Sequence, residues 1–124
     1  MICIAIASFF AYTTQAEPAL ETVDLATLPY EEKTPYWEGR VRDAGADRAY
    51  EEFKASIDSV PPVERHWELH LFGNALYEVG GLDLIATCDS ILDNACFHSF
   101  MISGIEELGV DAANRLHAVC VQRL

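Results

Sequence analysis

One segment with well-marked ends constrains the fold of this chain most. Pro61-Pro62 precedes it and Gly80-Gly81 follows it, and proline before the first turn and glycine after the last turn commonly bound a helix. Apolar residues recur between these ends at the spacing of one helix face: Leu69, Phe72, Leu76 and Val79. The segment 63–79 is therefore predicted to be an amphipathic helix. Its acidic residues are expected on the opposite, solvent-facing side: Glu64, Glu68 and Glu78.

A polar stripe runs along the same helix beside the apolar face. His66, His70, Gly73 and Tyr77 stand at positions i, i+4, i+7 and i+11. Because Gly73 has no side chain, another helix can approach closely at the centre of the stripe. The stripe is predicted to pack against a helix that begins near Cys96. The expected result is a buried polar network, or the border of a pocket, made of five residues: His66, His70, Asn74, Tyr77 and His98.

Helical periodicity continues through the rest of the chain. We predict a short helix over 36–44, a second after Asp47, a short buried helix over 82–88, a central helix after a cap at Asp93 or Asn94, and a last helix after Asp111. The second helix has one predicted core face: Ala49, Phe53, Ser56 and Val60, with Tyr50 and Ile57 beside it. Four aromatic residues are also expected in the core: Trp67, Phe72, Phe97 and Phe100. Since no alternating run of β-branched residues appears, the fold class is all-α, either an antiparallel helix-hairpin bundle or a short helical repeat array.

A weak internal repeat accompanies this pattern. Residues 84–88 and 116–120 share the form L-x-A-x-C, at an offset of 32 residues that is typical of helical-hairpin repeats. The last helix reaches Leu124 without a glycine, proline or polar residue that would end it. We therefore expect the domain to be incomplete at its C-terminus.

The first sixteen residues indicate export. They carry no charge, their apolar run is too short to span a bilayer, and Thr14-Gln15-Ala16 places small residues where a signal peptidase would cleave. The expected organisation is a signal peptide at 1–16, an acidic extended lead-in at 17–35 and a helical domain at 36–124. No transmembrane segment is expected once the signal is removed, and the mature protein is predicted to be periplasmic or secreted. A buried N-terminal helix or strand is the alternative for this segment.

The charge of the chain disfavours one class of partner. Twenty acidic residues against eight basic ones give a net charge of −12. Because each contact with a phosphate group requires a lysine or arginine, a nucleic-acid partner is not expected.

The cysteines suit an oxidising compartment. Seven residues separate Cys88 from Cys96 across a predicted turn between helices, a spacing that lets the two residues reach bonding distance. We predict a Cys88–Cys96 disulfide. Cys3 leaves with the signal peptide, so Cys120 is left without a partner and is a candidate for an intermolecular disulfide.

A metal site is the competing interpretation of the same residues. His66 and His70 share a helix face, and Cys96-Phe97-His98 offers further ligands. Zinc takes such ligands, so His66, His70 and His98 are the candidate metal site and zinc the candidate cofactor. The order H-W-E-L-H differs from the H-E-x-x-H of zinc proteases. No nucleophile elbow or phosphate-binding loop occurs, so catalytic residues remain unassigned.

The chain also resembles a group of uncharacterised bacterial and archaeal extracytoplasmic proteins. The residues that carry the resemblance are His70-x-x-Gly73-x-x-Leu76-Tyr77-Glu78, then Cys88, seven residues, and Cys96-Phe97-His98, with Gly45-x-x-x-Ala49-Tyr50-x-x-Phe53 upstream. That group has repeated Cys/His helical units of the form H-x-x-G-H-x-x-Y followed by C-x-H-G. Asn74 replaces its second histidine, and Ser99 replaces its glycine. The resemblance spans about residues 40–120 and implies no particular activity.

Two functions from different classes are therefore expected. The first is an exported, disulfide-stapled helical module with a binding or structural role. The alternative is a metal-binding protein or metal-dependent enzyme that uses His66, His70 and His98. An interaction fragment that is joined to a partner chain through Cys120 is a third possibility.

Overall fold

The structure, a computed structural model, describes residues 18–121, apart from the side chains of Asp93 and Cys120. The predicted signal peptide and the last three residues lie outside the described residues, as does the predicted bond from Cys120. The described chain is all-helical, which confirms the predicted fold class. Its α-helices are α1 (Tyr30–Ala44), α2 (Ala46–Ser56), α3 (Arg65–Gly80), α4 (Ile91–Leu108) and α5 (Asp111–Val121), with 3-10 helices at Ile57–Ser59 and Gly81–Thr87.

Helices α1 and α2 form an antiparallel hairpin around Gly45. This residue has φ +87°, a conformation that glycine adopts without strain. Across the hairpin, the Trp37 and Phe53 rings lie 5.5 Å apart, and the Arg40 guanidinium donates two hydrogen bonds to the Glu52 carboxylate. Apolar burial and a paired charge therefore hold the hairpin closed.

The core is one cluster to which all five α-helices and the second 3-10 helix contribute, and its aromatic part lies between the α1–α2 hairpin and α3. All six predicted core residues of the second helix are buried, including Ala49 and Phe53 at 0% exposure. The predicted apolar face of α3 is also confirmed, since Leu69, Phe72 and Leu76 are fully buried and Val79 packs against the core. Periodicity alone thus located the faces that the hydrophobic effect buries.

Helices α3 and α4 run in the same direction. Residues further along α3 contact residues further along α4: His66 contacts Leu92, His70 contacts Ser99, and Tyr77 contacts Phe100. The 3-10 helix Gly81–Thr87 brings the chain back between them. A Cβ atom at Gly73 would lie 2.8 Å from the Cys96 carbonyl oxygen, so the close approach predicted at this glycine is confirmed.

A Cys88–Cys96 disulfide joins the end of the second 3-10 helix to α4, with the two Cα atoms 5.6 Å apart. Closing so short a loop stabilises the fold by about 2–3 kcal/mol, mainly by restricting the unfolded chain. The closed loop is also held by Asp89, whose carboxylate accepts a hydrogen bond from the Tyr50 hydroxyl at 2.7 Å. Burial and this carboxylate raise the pKa of Tyr50 above its ordinary value.

The N-terminal part of the helical region differs from the prediction. Helix α1 begins at Tyr30, six residues earlier than expected, and continues through Pro35. Residues 18–29 of the predicted extended lead-in are packed against the helices, because Leu25 within them has 0% exposure. Its backbone is bound to α2 and the 3-10 helix that follows, as the Val23 and Leu25 N–H groups donate to Ser56 Oγ and Ser59 Oγ.

Three predictions about side chains and caps were wrong. Glu68 is buried rather than solvated, because it pairs with Lys33 of α1. Trp67 is 67% exposed rather than part of the core. Helix α4 begins at Ile91, before the Asp93 and Asn94 positions expected to cap it, and its first N–H is bound by the Asp89 carboxylate instead.

The two segments of the weak repeat differ in local structure. Residues 84–87 lie in a 3-10 helix, whereas residues 116–120 lie in α5. In the described part of the chain, no helix combines the length and apolar character needed to cross a membrane.

Candidate metal centre

Three histidines from α3 and α4 converge on one place. His66 and His70 stand one turn apart on α3, and their Nε2 atoms lie 3.1 Å apart. His98 projects from the facing side of α4, and its ring centroid lies 5.8 Å from that of His70. One ring nitrogen from each residue lies within 4.8 Å of the other two. The predicted stripe therefore forms a compact cluster of imidazoles between the helices.

His66 is oriented by a backbone group inside the disulfide-closed loop. Its Nδ1 lies 2.9 Å from the carbonyl oxygen of Leu92. A carbonyl oxygen only accepts hydrogen bonds, so in the neutral imidazole Nδ1 carries the proton and Nε2 presents a lone pair. Backbone carbonyls commonly orient metal-binding histidines through the ring nitrogen that does not face the metal.

His70 is held by Ser99 of α4. The Nδ1 atom of His70 lies 2.8 Å from Ser99 Oγ, and Ser99 Oγ also lies 2.9 Å from the carbonyl oxygen of His70. Partial burial, followed by the neighbouring His66 and His98, lowers the pKa of His70. The neutral imidazole, the form that binds metals, is thereby favoured.

His98 is the exposed member of the cluster. Tetrahedral zinc with bonds of about 2.0–2.1 Å to nitrogen separates its ligand nitrogens by roughly 3.3 Å. His66 and His70 already match this separation at 3.1 Å. The ligand nitrogens of the three histidines lie within 4.8 Å of one another. An inward movement of the exposed His98 side chain by roughly 2 Å or less would therefore complete a three-histidine site.

The remaining residues of the predicted network lie further along the same seam. The Tyr77 hydroxyl donates to Glu107 Oε2 at 2.7 Å. Burial and this carboxylate raise the pKa of Tyr77 to about 12. Asn74 instead lines a pocket of about 230 Å³ together with His70, Ser99 and four apolar or aromatic residues: Tyr30, Trp67, Leu71 and Ile102. The network expected from the sequence is therefore divided into a histidine cluster and a separate Tyr77–Glu107 pair.

Cys96 does not join the histidines as a ligand. Its sulfur is bonded to Cys88, and the residue has 0% exposure. A thiolate is required for metal binding, so the disulfide excludes this candidate. The cysteine pair instead fixes the loop that carries the Leu92 carbonyl.

Sequence reasoning missed the groups that orient the histidines. Leu92 contributes a backbone oxygen, which no side-chain pattern reveals. Ser99 was noted only as the residue that replaces a glycine of the resembled pattern, yet its hydroxyl lies within hydrogen-bond distance of both the ring and the carbonyl oxygen of His70.

Comparisons with models of protein families, with curated proteins and with solved structures give no significant match.

Proposed function

We propose that this protein binds a divalent transition metal, with zinc as the candidate, through His66, His70 and His98. The observation that carries the proposal is the convergence of three imidazoles from two helices to within 4.8 Å. Two of them also have an oxygen partner at Nδ1, which leaves Nε2 facing the centre of the cluster. Histidines that bind metals typically have a hydrogen-bond partner of this kind on the ring nitrogen that faces away from the metal.

Three protein ligands leave one tetrahedral position for water or an external donor. The pocket lined by His70, Asn74 and Ser99 borders the cluster. The net charge of −12 favours cations near the surface in general. These features support reversible binding of a metal with an open coordination position.

The proposed location is extracytoplasmic. Support comes from the short apolar run before Thr14-Gln15-Ala16 and from the Cys88–Cys96 disulfide, because such bonds persist mainly in oxidising compartments. Imidazole ligands do not oxidise as thiolates do, so a histidine site suits the same environment.

Isothermal titration of the metal-free protein with Zn²⁺, after removal of any polyhistidine tag, tests the proposal. We expect one site per chain in wild type. In His70→Gln the affinity for Zn²⁺ should fall by at least about 100-fold. Loss of a residue that only hydrogen-bonds to a metal ligand costs roughly 10- to 100-fold. His117→Gln is the matched control, since His117 is an exposed histidine of α5 outside the cluster. Equal affinities for wild type and His70→Gln would refute the site.

A purely structural polar network is the second candidate function. It is favoured by the hydrogen bonds that join α3 to α4 through Leu92 and Ser99, since these form without a metal. On this hypothesis wild type takes up no Zn²⁺, whereas His70→Gln still lowers the free energy of unfolding. Titration and urea unfolding of the same variant therefore separate the two functions.

A further inference from the structure

The acceptor atoms around the histidine cluster indicate which ring nitrogens carry protons. The Leu92 carbonyl oxygen fixes the proton of His66 on Nδ1, so His66 Nε2 is an acceptor. His70 Nε2 faces this acceptor at 3.1 Å. Two lone pairs at that distance repel each other. Either His70 donates a proton across the gap, or a cation lies where both lone pairs point.

Ser99 decides which arrangement His70 adopts. Its hydroxyl has one proton and two acceptors in range, His70 Nδ1 at 2.8 Å and the His70 carbonyl oxygen at 2.9 Å. If the hydroxyl donates to Nδ1, the His70 proton lies on Nε2 and is donated to His66. If the hydroxyl donates to the carbonyl, His70 carries its proton on Nδ1 and donates it to Ser99 Oγ. Nε2 then presents a lone pair.

We infer that the Ser99 hydroxyl lets His70 change tautomer when a metal binds. The hydrogen bonds are then satisfied both with and without the metal, so the metal is exchangeable and the fold does not depend on it. This inference rests on the proposed function. In the metal-free protein, the hydrogen bonds run from Ser99 to His70 to His66 to Leu92, and every ring nitrogen of His66 and His70 has a partner. In the loaded protein, the Ser99 hydroxyl turns to the His70 carbonyl, and both Nε2 atoms bind the metal.

The exchange balances in atoms and charge. One proton leaves His70 Nε2 for solvent, and one proton is taken up from solvent at His70 Nδ1. The Ser99 hydroxyl rotates without losing its proton. Two nitrogen–metal bonds replace the His70–His66 hydrogen bond, and His98 adds a third while the metal sheds water. No net proton is released by His66 or His70 from their neutral forms.

The rest of the fold agrees with an exchangeable metal. Structural zinc sites hold together domains that unfold without the metal. Here α3 is packed through Leu69, Phe72 and Leu76, all at 0% exposure, and the disulfide closes the adjacent loop independently of the cluster. Stability therefore has sources apart from the histidines.

Nitrogen-15 NMR of the imidazoles at pH 7.5, with and without Zn²⁺, tests the inference. We expect His66 to carry its proton on Nδ1 in both states. We expect His70 to change from the Nε2–H form to the Nδ1–H form on loading, with the helical circular dichroism unchanged. A metal-free His70 that already carries its proton on Nδ1 would overturn the inference. So would loss of the helical signal when EDTA removes the metal.

The Ser99→Ala variant tests the role of the hydroxyl. Without it, His70 loses its Nδ1 acceptor, so the zinc dissociation constant should rise by about 10- to 100-fold. The metal-free preference for Nε2–H should also weaken. Ser103→Ala, one turn further along α4, is the matched control and should match wild type. An unchanged dissociation constant in Ser99→Ala would contradict the inference.

Failure of this inference is distinguishable from failure of the proposed function. If wild type takes up no Zn²⁺, the proposed function fails and the exchangeable metal fails with it. If Zn²⁺ binds but His70 keeps one tautomer throughout, the metal site stands and the switch is wrong. The wild-type NMR measurement decides this even if Ser99→Ala does not fold.

Discussion

At Gly73, a hydrogen atom in place of a side chain lets α4 lie directly against α3. An added Cβ would meet the Cys96 carbonyl oxygen at 2.8 Å and Ser99 Cβ at 2.9 Å. The first neighbour is a backbone atom and the second is a Cβ atom, so neither can move away by a side-chain rotation. The position of Ser99 beside His70 therefore depends on the absence of a side chain at residue 73.

Gly73→Ala should lower the free energy of unfolding by about 1–3 kcal/mol, the usual cost of overpacking. Gly39→Ala is the matched control, because Gly39 lies inside α1 with nothing within 4 Å of an added Cβ. There alanine should stabilise the helix by up to about 1 kcal/mol. Urea unfolding of both variants measures the effects, and a neutral or stabilising Gly73→Ala would contradict the close packing.

The pKa of His70 gives the metal-free protein a dependence on pH. Burial lowers this pKa below the ordinary value of 6.5, so the unfolded chain binds a proton more readily than the folded one. Stability is then fully present above the unfolded pKa and is lost as the pH falls through the folded pKa. Between pH 7.5 and pH 5.5, the free energy of unfolding should decrease more in wild type than in His70→Gln. Urea titrations in EDTA measure this, with His117→Gln as the control; parallel decreases in wild type and His70→Gln would rule it out.

At the scale of the element, α1 and α3 share a buried ion pair. Lys33 and Glu68 are 8% and 5% exposed, and Lys33 Nζ donates a hydrogen bond to Glu68 Oε1. Glu68 Oε2 has no hydrogen-bond partner among the described residues. A pair of this kind is costly to break but contributes little net stability, because both charges have lost their water.

Lys33→Met should therefore destabilise the protein by about 3–5 kcal/mol, since it leaves the Glu68 carboxylate buried without a cation. The double variant Lys33→Met/Glu68→Leu should recover most of this loss. Lys54→Met is the matched control: it breaks the more exposed pair with Glu51 on α2 and should change stability by less than about 1 kcal/mol. A double variant as unstable as the single one would show that the pair itself stabilises the fold.

The same pair shows where sequence reasoning about elements reaches its limit. Periodicity predicted the core faces of α2 and α3, because their apolar residues repeat at the helical spacing. It placed Glu68 in solvent because charge is normally exposed, and only the position of Lys33 on another helix reverses this. The early start of α1 was missed for a related reason. Pro35 suggested a boundary, yet buried Lys33 and Trp37 anchor the helix on both sides of it.

The candidate site was predictable to a similar degree. The spacing of His66 and His70 indicated a shared helix face, and Gly73 indicated where α4 would approach. The contacts that give the site its chemistry come from the Leu92 carbonyl and the Ser99 hydroxyl. These depend on the parallel direction of α3 and α4, which is a tertiary feature that spacing along one helix does not contain.

At the scale of the whole molecule, the N-terminal segment (residues 18–29) is attached to α1 and α2 by hydrogen bonds and an ion pair. Arg48 donates to the Pro18 and Ala19 carbonyl oxygens. Arg40 pairs with Glu21 at 3.0 Å and with the buried Glu52, and its guanidinium lowers the pKa of the Glu52 carboxyl. An acidic chain thus uses two of its few basic residues to attach this segment.

Leu25 supplies the apolar part of the same attachment. With 0% exposure it belongs to the main core, whereas Leu20 of the same segment is 41% exposed. Leu25→Ala should therefore lower the free energy of unfolding by about 2–5 kcal/mol, through lost burial and the cavity that remains. Leu20→Ala should stay within about 0.5 kcal/mol of wild type. Urea unfolding followed by tryptophan fluorescence measures both, because buried Trp37 reports on the core. If the two variants were equally stable, the segment would be detachable; a selective loss in Leu25→Ala places residues 18–29 inside the cooperative unit that positions α3 and its histidines.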